Sequence, residues 1–195
     1  MLTDKFIQNL LKNEDNSVTS VMAFMSYNPS IGRVLEKGGV KKFQKLILEM
    51  INKLPSVNNC SDFDDLHKEY LQKIIAEIKT NSNSQVSIGQ AQKPINVFYK
   101  VYIDWARKPD ENTRNKLLPF LHVPLDSILM ETISTKYPDW YQQNIKQYVN
   151  NSQKEFRLSQ IKDEELYYCW QKFFREKYPE KPLIFDVAWA LNRKQ

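Results

Sequence analysis

The chain has 195 residues, 42% of them hydrophobic and 12% aromatic, with a formal net charge of +5, a composition that suits a folded globular protein and excludes a disordered one. This length can form one substantial core, or two small lobes sharing a cleft, and no apolar run approaches the roughly 20 residues that span a bilayer. Two cysteines, Cys60 and Cys169, are too few for a disulfide framework or a four-cysteine metal or iron–sulfur site, and with the two histidines, His67 and His122, far apart in sequence a metal site would have to be mostly carboxylate, which nothing signals.

No metal or cofactor is therefore expected, and any catalysis must use side chains alone. The start, Met1-Leu2-Thr3-Asp4-Lys5, lacks the basic-then-apolar order of a secretion signal, so the cytoplasm, where the nucleoid lies, is the expected compartment. The positive charge permits a polyanionic partner, because neutralising phosphates releases counterions. It does not require one.

Thr3 or Asp4 can cap a first helix through Phe6, Ile7, Leu10 and Leu11. A second apolar segment, Val18 to Phe24, is expected to stop before Asn28-Pro29, since the residue preceding a proline is pushed out of helical geometry. The stretch 26–32 then reads as a turn, polar and aromatic enough to touch a nucleobase. Gly38-Gly39 closes a short helix, and Val40, Phe43, Leu46, Ile47, Met50, Ile51 and Leu54 form the next apolar face. Lys41 and Lys42 lie in its first turns, where the helix dipole least favours cations. Phosphate contact and a plain solvated face are both open for them.

Asp62 can cap a helix burying Phe63, Leu66, Tyr70, Leu71, Ile74 and Ile78, followed by the polar loop 80–85. Next, Lys93 stands before Pro94, a residue suited to a first helical position, and Ile95, Phe98, Tyr99, Tyr102, Ile103 and Ala106 repeat at helical spacing. A lysine at that helix mouth would feel the positive end of the dipole and partial burial. Both favour the neutral amine, the nucleophilic form. Pro109-Asp110 opens a short helix closed by Pro119. Val123-Pro124-Leu125-Asp126 then leads into Ser127-Ile128-Leu129-Met130, with Asp126 as N-cap. On these residues alone Lys93 can equally be a solvated lysine, Asp126 an ordinary cap, and His122 a loop residue without a role.

Tyr137-Pro138-Asp139 starts a helix carrying Trp140, Tyr141, Ile145 and Tyr148, expected to end at 150–153. Asp163 caps an aromatic helix with Tyr167, Trp170, Phe173 and Phe174. Those rings are core candidates, since each can bury some 150–250 Å². Pro182 opens the last helix, in which Ile184, Val187, Ala188 and Leu191 share an apolar face. That places Asp186 and Trp189 together on another. No strand-period run survives, and glycines number only 4. The expected fold is all-α, with roughly ten helices in a single domain, 1–195.

Gln92-Lys93 before an apolar helical run, with Val-Pro-Leu-Asp opening the next helix 33 residues after the lysine, resembles the helix–hairpin–helix superfamily of DNA glycosylases. The likeness is closest to the archaeal 8-oxoguanine DNA glycosylases and covers residues 87–133. A second echo lies at 182–189, similar to that family's acid-plus-tryptophan segment near the bound base. The usual Leu-Pro-Gly-Val-Gly hairpin is reduced here to Val86-Ser87-Ile88-Gly89-Gln90-Ala91-Gln92.

The resemblance implies a two-lobed helical fold, with one lobe from about 1–35 plus 136–195, the other from about 36–135, and a central cleft. It implies a monomer acting on double-stranded DNA that contains a damaged or modified base, 8-oxoguanine first, or another base such as one found in invading DNA. Lys93 and Asp126 would be catalytic, Asp186 and Trp189 would hold the base, and Gly89, Gln92, His122, Lys41 and Lys42 would lie near DNA. A non-enzymatic helical module binding DNA or protein is the rival expectation.

Overall fold

The computed structural model describes residues 3–149 and 156–192. They form ten α-helices: α1 (Asp4–Lys12), α2 (Glu14–Ile31), α3 (Gly39–Ile51), α4 (Cys60–Glu77), α5 (Ile88–Tyr99), α6 (Glu111–Leu117), α7 (Ser127–Lys136), α8 (Pro138–Asn144), α9 (Glu164–Lys177) and α10 (Ile184–Asn192). Among the described residues there is no strand, only two isolated bridges, Leu35 with Thr80 and Lys79 with Gln85. No helix among them is long and apolar enough to cross a membrane.

α5 is the central element. Ile88, Ala91, Ile95, Phe98 and Tyr99 are all buried, and the helix packs against α2, α4, α9 and the short turn at 158–160. It begins six residues earlier than the proline suggests. Ser87 accepts a hydrogen bond from the Gln90 N–H, and the Gln90 side chain accepts one from the Ser87 N–H. This reciprocal box satisfies two free donors, so the helix starts there and runs on through Pro94. Lys93 consequently sits more than a turn inside α5, where the dipole of the helix end has largely decayed.

Other boundaries move for similar local reasons. α2 continues through Pro29 to Ile31 instead of turning at Asn28. The carbonyl that loses its partner belongs to exposed Met25, where water can replace the missing N–H. Gly38 and Gly39 open α3 rather than closing a helix, and glycine is needed at 39 because a Cβ there would stand 2.1 Å from the Tyr27 hydroxyl oxygen. Asn59, not Asp62, caps α4, and Asp62 accepts the Asn58 N–H instead. α8 stops at Asn144 and is followed by a 3₁₀ turn at Lys146–Tyr148. The expected stop at 150–153 lies outside the described residues. Thr3, Asp126 and Asp163 cap where expected, and Asp110, at the expected opening of the short helix, proves to be the cap of α6.

The aromatic helix α9 is core, with Tyr167, Trp170, Phe173 and Phe174 all at most 2% exposed. α10 is turned the other way round from its hydrophobic pattern. Ile184 and Leu191 are exposed, whereas Asp186 is 5% exposed.

Gly89 shows how tightly the 158–160 turn is pressed onto α5. Its N–H donates to the Ile161 carbonyl, and a Cβ there would lie 2.2 Å from the Leu158 carbonyl oxygen and 2.8 Å from Ile161 Cβ. Backbone cannot yield that far cheaply. Gly89→Ala should therefore destabilise the fold by about 1–3 kcal/mol despite alanine's better helix propensity, read as a fall of several degrees in Tm. An unchanged Tm would show that this turn does not bear on α5 as described.

Candidate active site

A cleft of about 840 Å³ opens at the end of α2, the middle of α5, the start of α7, the 158–160 turn and α10. Lys93, Lys100, Asp126, Asp186 and Trp189 all line it, with Gln90, Arg33 and Arg157. Four residues singled out in the sequence thus meet at one cavity: Lys93, Asp126, Asp186 and Trp189.

Lys93 projects from α5 and donates through Nζ to Asp126 Oδ2 at 3.1 Å. The two side chains are 12% and 20% exposed, shielded enough to keep a fixed geometry and open enough for a ligand to reach. Asp126 divides its oxygens between two tasks. Oδ1 accepts the Leu129 N–H at 2.9 Å as the cap of α7, and Oδ2 faces the amine. The cap fixes the carboxylate plane, and that fixes where the second oxygen points.

The loop before Asp126 is itself anchored. Gln92, fully buried, donates through Nε2 to the Gly89 and Leu125 carbonyls and accepts the Leu125 N–H on Oε1. On the other side, Gln171 of α9 accepts the Val123 N–H and donates to the Val123 carbonyl. Two buried amides therefore hold an extended strand-like loop that has no sheet to pair with.

Asp186 is tied to the wall of the cleft by charge, and Trp189, on the same helix, packs against the core. Between Lys100 and Trp105 the continuation of α5 widens into a π-helical turn, with the Ala106 N–H bonded to the Val101 carbonyl. Such turns are frequent at functional sites. Lys100 at its start donates to Asp186 Oδ2 at 2.5 Å, and Asp104 further along accepts from Lys181 Nζ at 2.7 Å. These crossed pairs, a cation and an acid on each segment, dock α10 and account for its inverted apolar face. The Lys100 ammonium also lies 4.9 Å from the centre of the Trp105 ring.

The remaining expected DNA contacts are not at this surface. Gln92 and Gly89 are buried in the packing just described. His122 is fully buried, with Nδ1 2.8 Å from the Tyr167 hydroxyl and Nε2 2.8 Å from Asp64 Oδ1. Lys42 is exposed but bonded to Glu36 and to the Glu77 carbonyl. Neither it nor exposed Lys41 lines the cleft. Sequence reasoning missed Lys100, whose position one helical turn beyond Val97 and two beyond Lys93 puts it on the same face, and the two rim arginines, Arg33 and Arg157.

Comparison with known protein families, curated proteins and solved structures finds no match. The site must be interpreted from its own geometry. Among the described residues no group of histidine, cysteine and carboxylate side chains could hold a metal ion.

Beneath the cleft a polar network crosses the core. The Asn96 amide donates to Gln92 Oε1 and to the Tyr167 hydroxyl, and its carbonyl oxygen lies 2.8 Å from His67 Nε2. His122 connects Tyr167 to Asp64, which Arg175 grips with both guanidinium nitrogens at 2.9 and 2.7 Å. Burial opposes ionisation of Asp64, but the His122 and Arg175 hydrogen bonds outweigh it and hold the carboxyl well below the usual carboxylate range. Burial pushes His122 down to about 4, against the pull of Asp64, and pushes His67 well below its ordinary value.

Both histidines are thus neutral in the fold and take up protons only on unfolding. Between the ordinary 6.5 of the unfolded chain and about 4, the unfolded state binds more protons, so stability falls as pH drops through this window. His122 alone should contribute a loss of roughly 3 kcal/mol across it. Urea unfolding at pH 7 and at pH 4.5 measures this. In His122→Gln the pH dependence should flatten; an equal slope in both proteins would remove His122 from the account.

Proposed function

We propose that the chain is a DNA glycosylase with associated lyase activity, of the helix–hairpin–helix type, acting on a damaged or modified base with 8-oxoguanine the first candidate. The observation that carries this proposal is the Lys93–Asp126 pair, 3.1 Å apart inside a cleft that also holds Asp186 and Trp189. The sequence resemblance assigns roles to these same four residues. In this reading the cleft separates two lobes, and the target nucleotide must leave the duplex to reach it, because a stacked C1′ is inaccessible to a side chain.

The Lys93 amine attacks C1′ as the N-glycosidic bond breaks, and that bond's electron pair leaves with the base, which takes up a proton. Asp126 accepts the proton that the amine gives up and passes it to the departing base, so that it is again a carboxylate facing the positive charge developing on the sugar. The sugar ring opens as the C1′–O4′ bond breaks and O4′ takes, by way of Asp126, the second proton that the attached amine loses, leaving a protonated Schiff base on Lys93. Loss of a C2′ proton then expels the 3′ phosphate by β-elimination. The flat face of the base is offered Trp189, the one aromatic ring in the cleft lining. Its edge is offered Asp186 and Lys100, an acceptor and a donor already paired with each other. Cleft shape and that polar pair, rather than a hairpin, govern which base enters.

The test is borohydride trapping on a labelled duplex containing 8-oxoguanine, with a panel of other modified bases. Hydride reduction of the imine leaves a stable amine adduct, which should form with the native chain and vanish in Lys93→Gln. Asp126→Asn is the sharper probe, since asparagine caps a helix as well as aspartate yet cannot take the proton. It should keep the fold and slow adduct formation by about 10²–10⁴-fold, the usual contribution of a positioned base. An adduct retained in Lys93→Gln would place the nucleophile elsewhere. No adduct on any base would leave a non-enzymatic binding module.

A further inference from the structure

Four cations line the cleft, and they fall into two kinds. Lys93 and Lys100 lie deep, 12% and 14% exposed in their side chains, and each is neutralised by an aspartate. Arg33 and Arg157 are exposed at the rim and, among the described residues, form no ion pair. The interior of the cleft is therefore balanced in charge, while its mouth carries two uncompensated guanidinium groups. That is the reverse of what a small cationic or neutral ligand would need.

The two arginines come from different walls. Arg33 follows α2, beside Pro29, Ser30 and Ile31; Arg157 precedes the 158–160 turn. α5, carrying Lys93, packs against both. An extruded nucleotide remains tied to its strand by one phosphate on each side of its sugar, and a guanidinium presents a planar fork of donors that matches a phosphate. From this we infer that Arg33 and Arg157 form a phosphate clamp at the mouth, binding the backbone of the strand that enters the cleft on either side of the nucleotide held at Lys93. Lys41 and Lys42 have no part in it. The inference deepens the proposed function by naming the contact that holds the strand, but it does not depend on the chemistry at Lys93.

The experiment therefore uses a duplex bearing a single tetrahydrofuran abasic analogue, which has no base to lose and forms no imine. Binding of the full chain is followed by fluorescence anisotropy over a salt series. Each phosphate contact contributes about 0.9 to the slope of log K against log salt, so Arg33→Gln/Arg157→Gln should lower that slope by about 1.8 and weaken binding more than tenfold at moderate salt. Lys45→Gln/Lys172→Gln removes the same charge from exposed positions outside the cleft and should change the slope far less.

A second arm replaces the two phosphates flanking the analogue with uncharged methylphosphonates. The native chain should then bind as weakly as the arginine variant, which itself should lose little more. Equal slope changes in the two double variants would reduce the arginines to a general field and overturn the clamp, as would an arginine variant that remains sensitive to methylphosphonate. A Schiff-base adduct with an unaltered slope sinks the clamp and leaves the glycosylase proposal standing. The expected slope change without any adduct does the opposite.

Discussion

The arrangement depends on a double attachment between one turn of α5 and one loop. Gln92 holds the backbone of Leu125 from both its N–H and its carbonyl, and Lys93, the next residue, holds the carboxylate of Asp126. Adjacent residues on a helix point about 100° apart, so one can be committed to the core while the other faces the cavity. The buried amide supplies the rigidity. Its partners would otherwise be unsatisfied buried backbone groups, each costing about 1–3 kcal/mol, so the loop has little freedom to withdraw. The lysine and the aspartate then need no contribution of their own to be placed together.

The same division recurs at the second wall of the cleft. The π-turn after α5 presents Lys100 and Asp104, and the segment leading into α10 presents Lys181 and Asp186. A buried charge is costly unless paired, and both buried acids are met by a lysine of the opposite segment, with Arg114 also 3.6 Å from Asp104. This pairing adds to the apolar packing of the segment, in which Leu183 is fully buried and the Phe185 ring lies against Phe173, Phe174 and Tyr178, while Ile184 and Leu191 stay exposed.

How much of this could be read from the sequence varied with the range of the interaction. Caps at Thr3, Asp126 and Asp163, and the buried stripes of α3, α4 and α9, are local patterns, and each was legible. The prolines misled: Pro29 and Pro94 looked like boundaries, yet both lie inside helices. For α5 the overriding signal was present as Ser87-x-x-Gln90. The roles of Gln92 and His122 were invisible for a different reason. Both belong to a buried network whose members, Asp64, Asn96, Leu125, Tyr167 and Arg175, are scattered over more than 100 residues, and no spacing rule connects them. That Lys93 and Asp126 lie side by side was suggested only through resemblance; their composition and spacing allowed a surface lysine and an ordinary cap just as well.

The shifted start of α5 changes the chemistry that the proposed reaction requires. At a helix mouth, the dipole would help release a proton from Lys93 before substrate arrives. Inside the helix that help is absent, and the Lys93 nitrogen lies 3.1 Å from a carboxylate oxygen. The nucleophile must then be made on demand. In the proposed reaction, a nucleotide filling the cleft would exclude water from the pair, and in a dry site separated charges are penalised far more than in water. Transfer of the proton from Lys93 to Asp126 would turn an ion pair into two neutral groups, so desolvation by the substrate itself would drive the step. Activation would thereby be linked to a base that fits, since a poorly seated nucleotide would leave water at the pair.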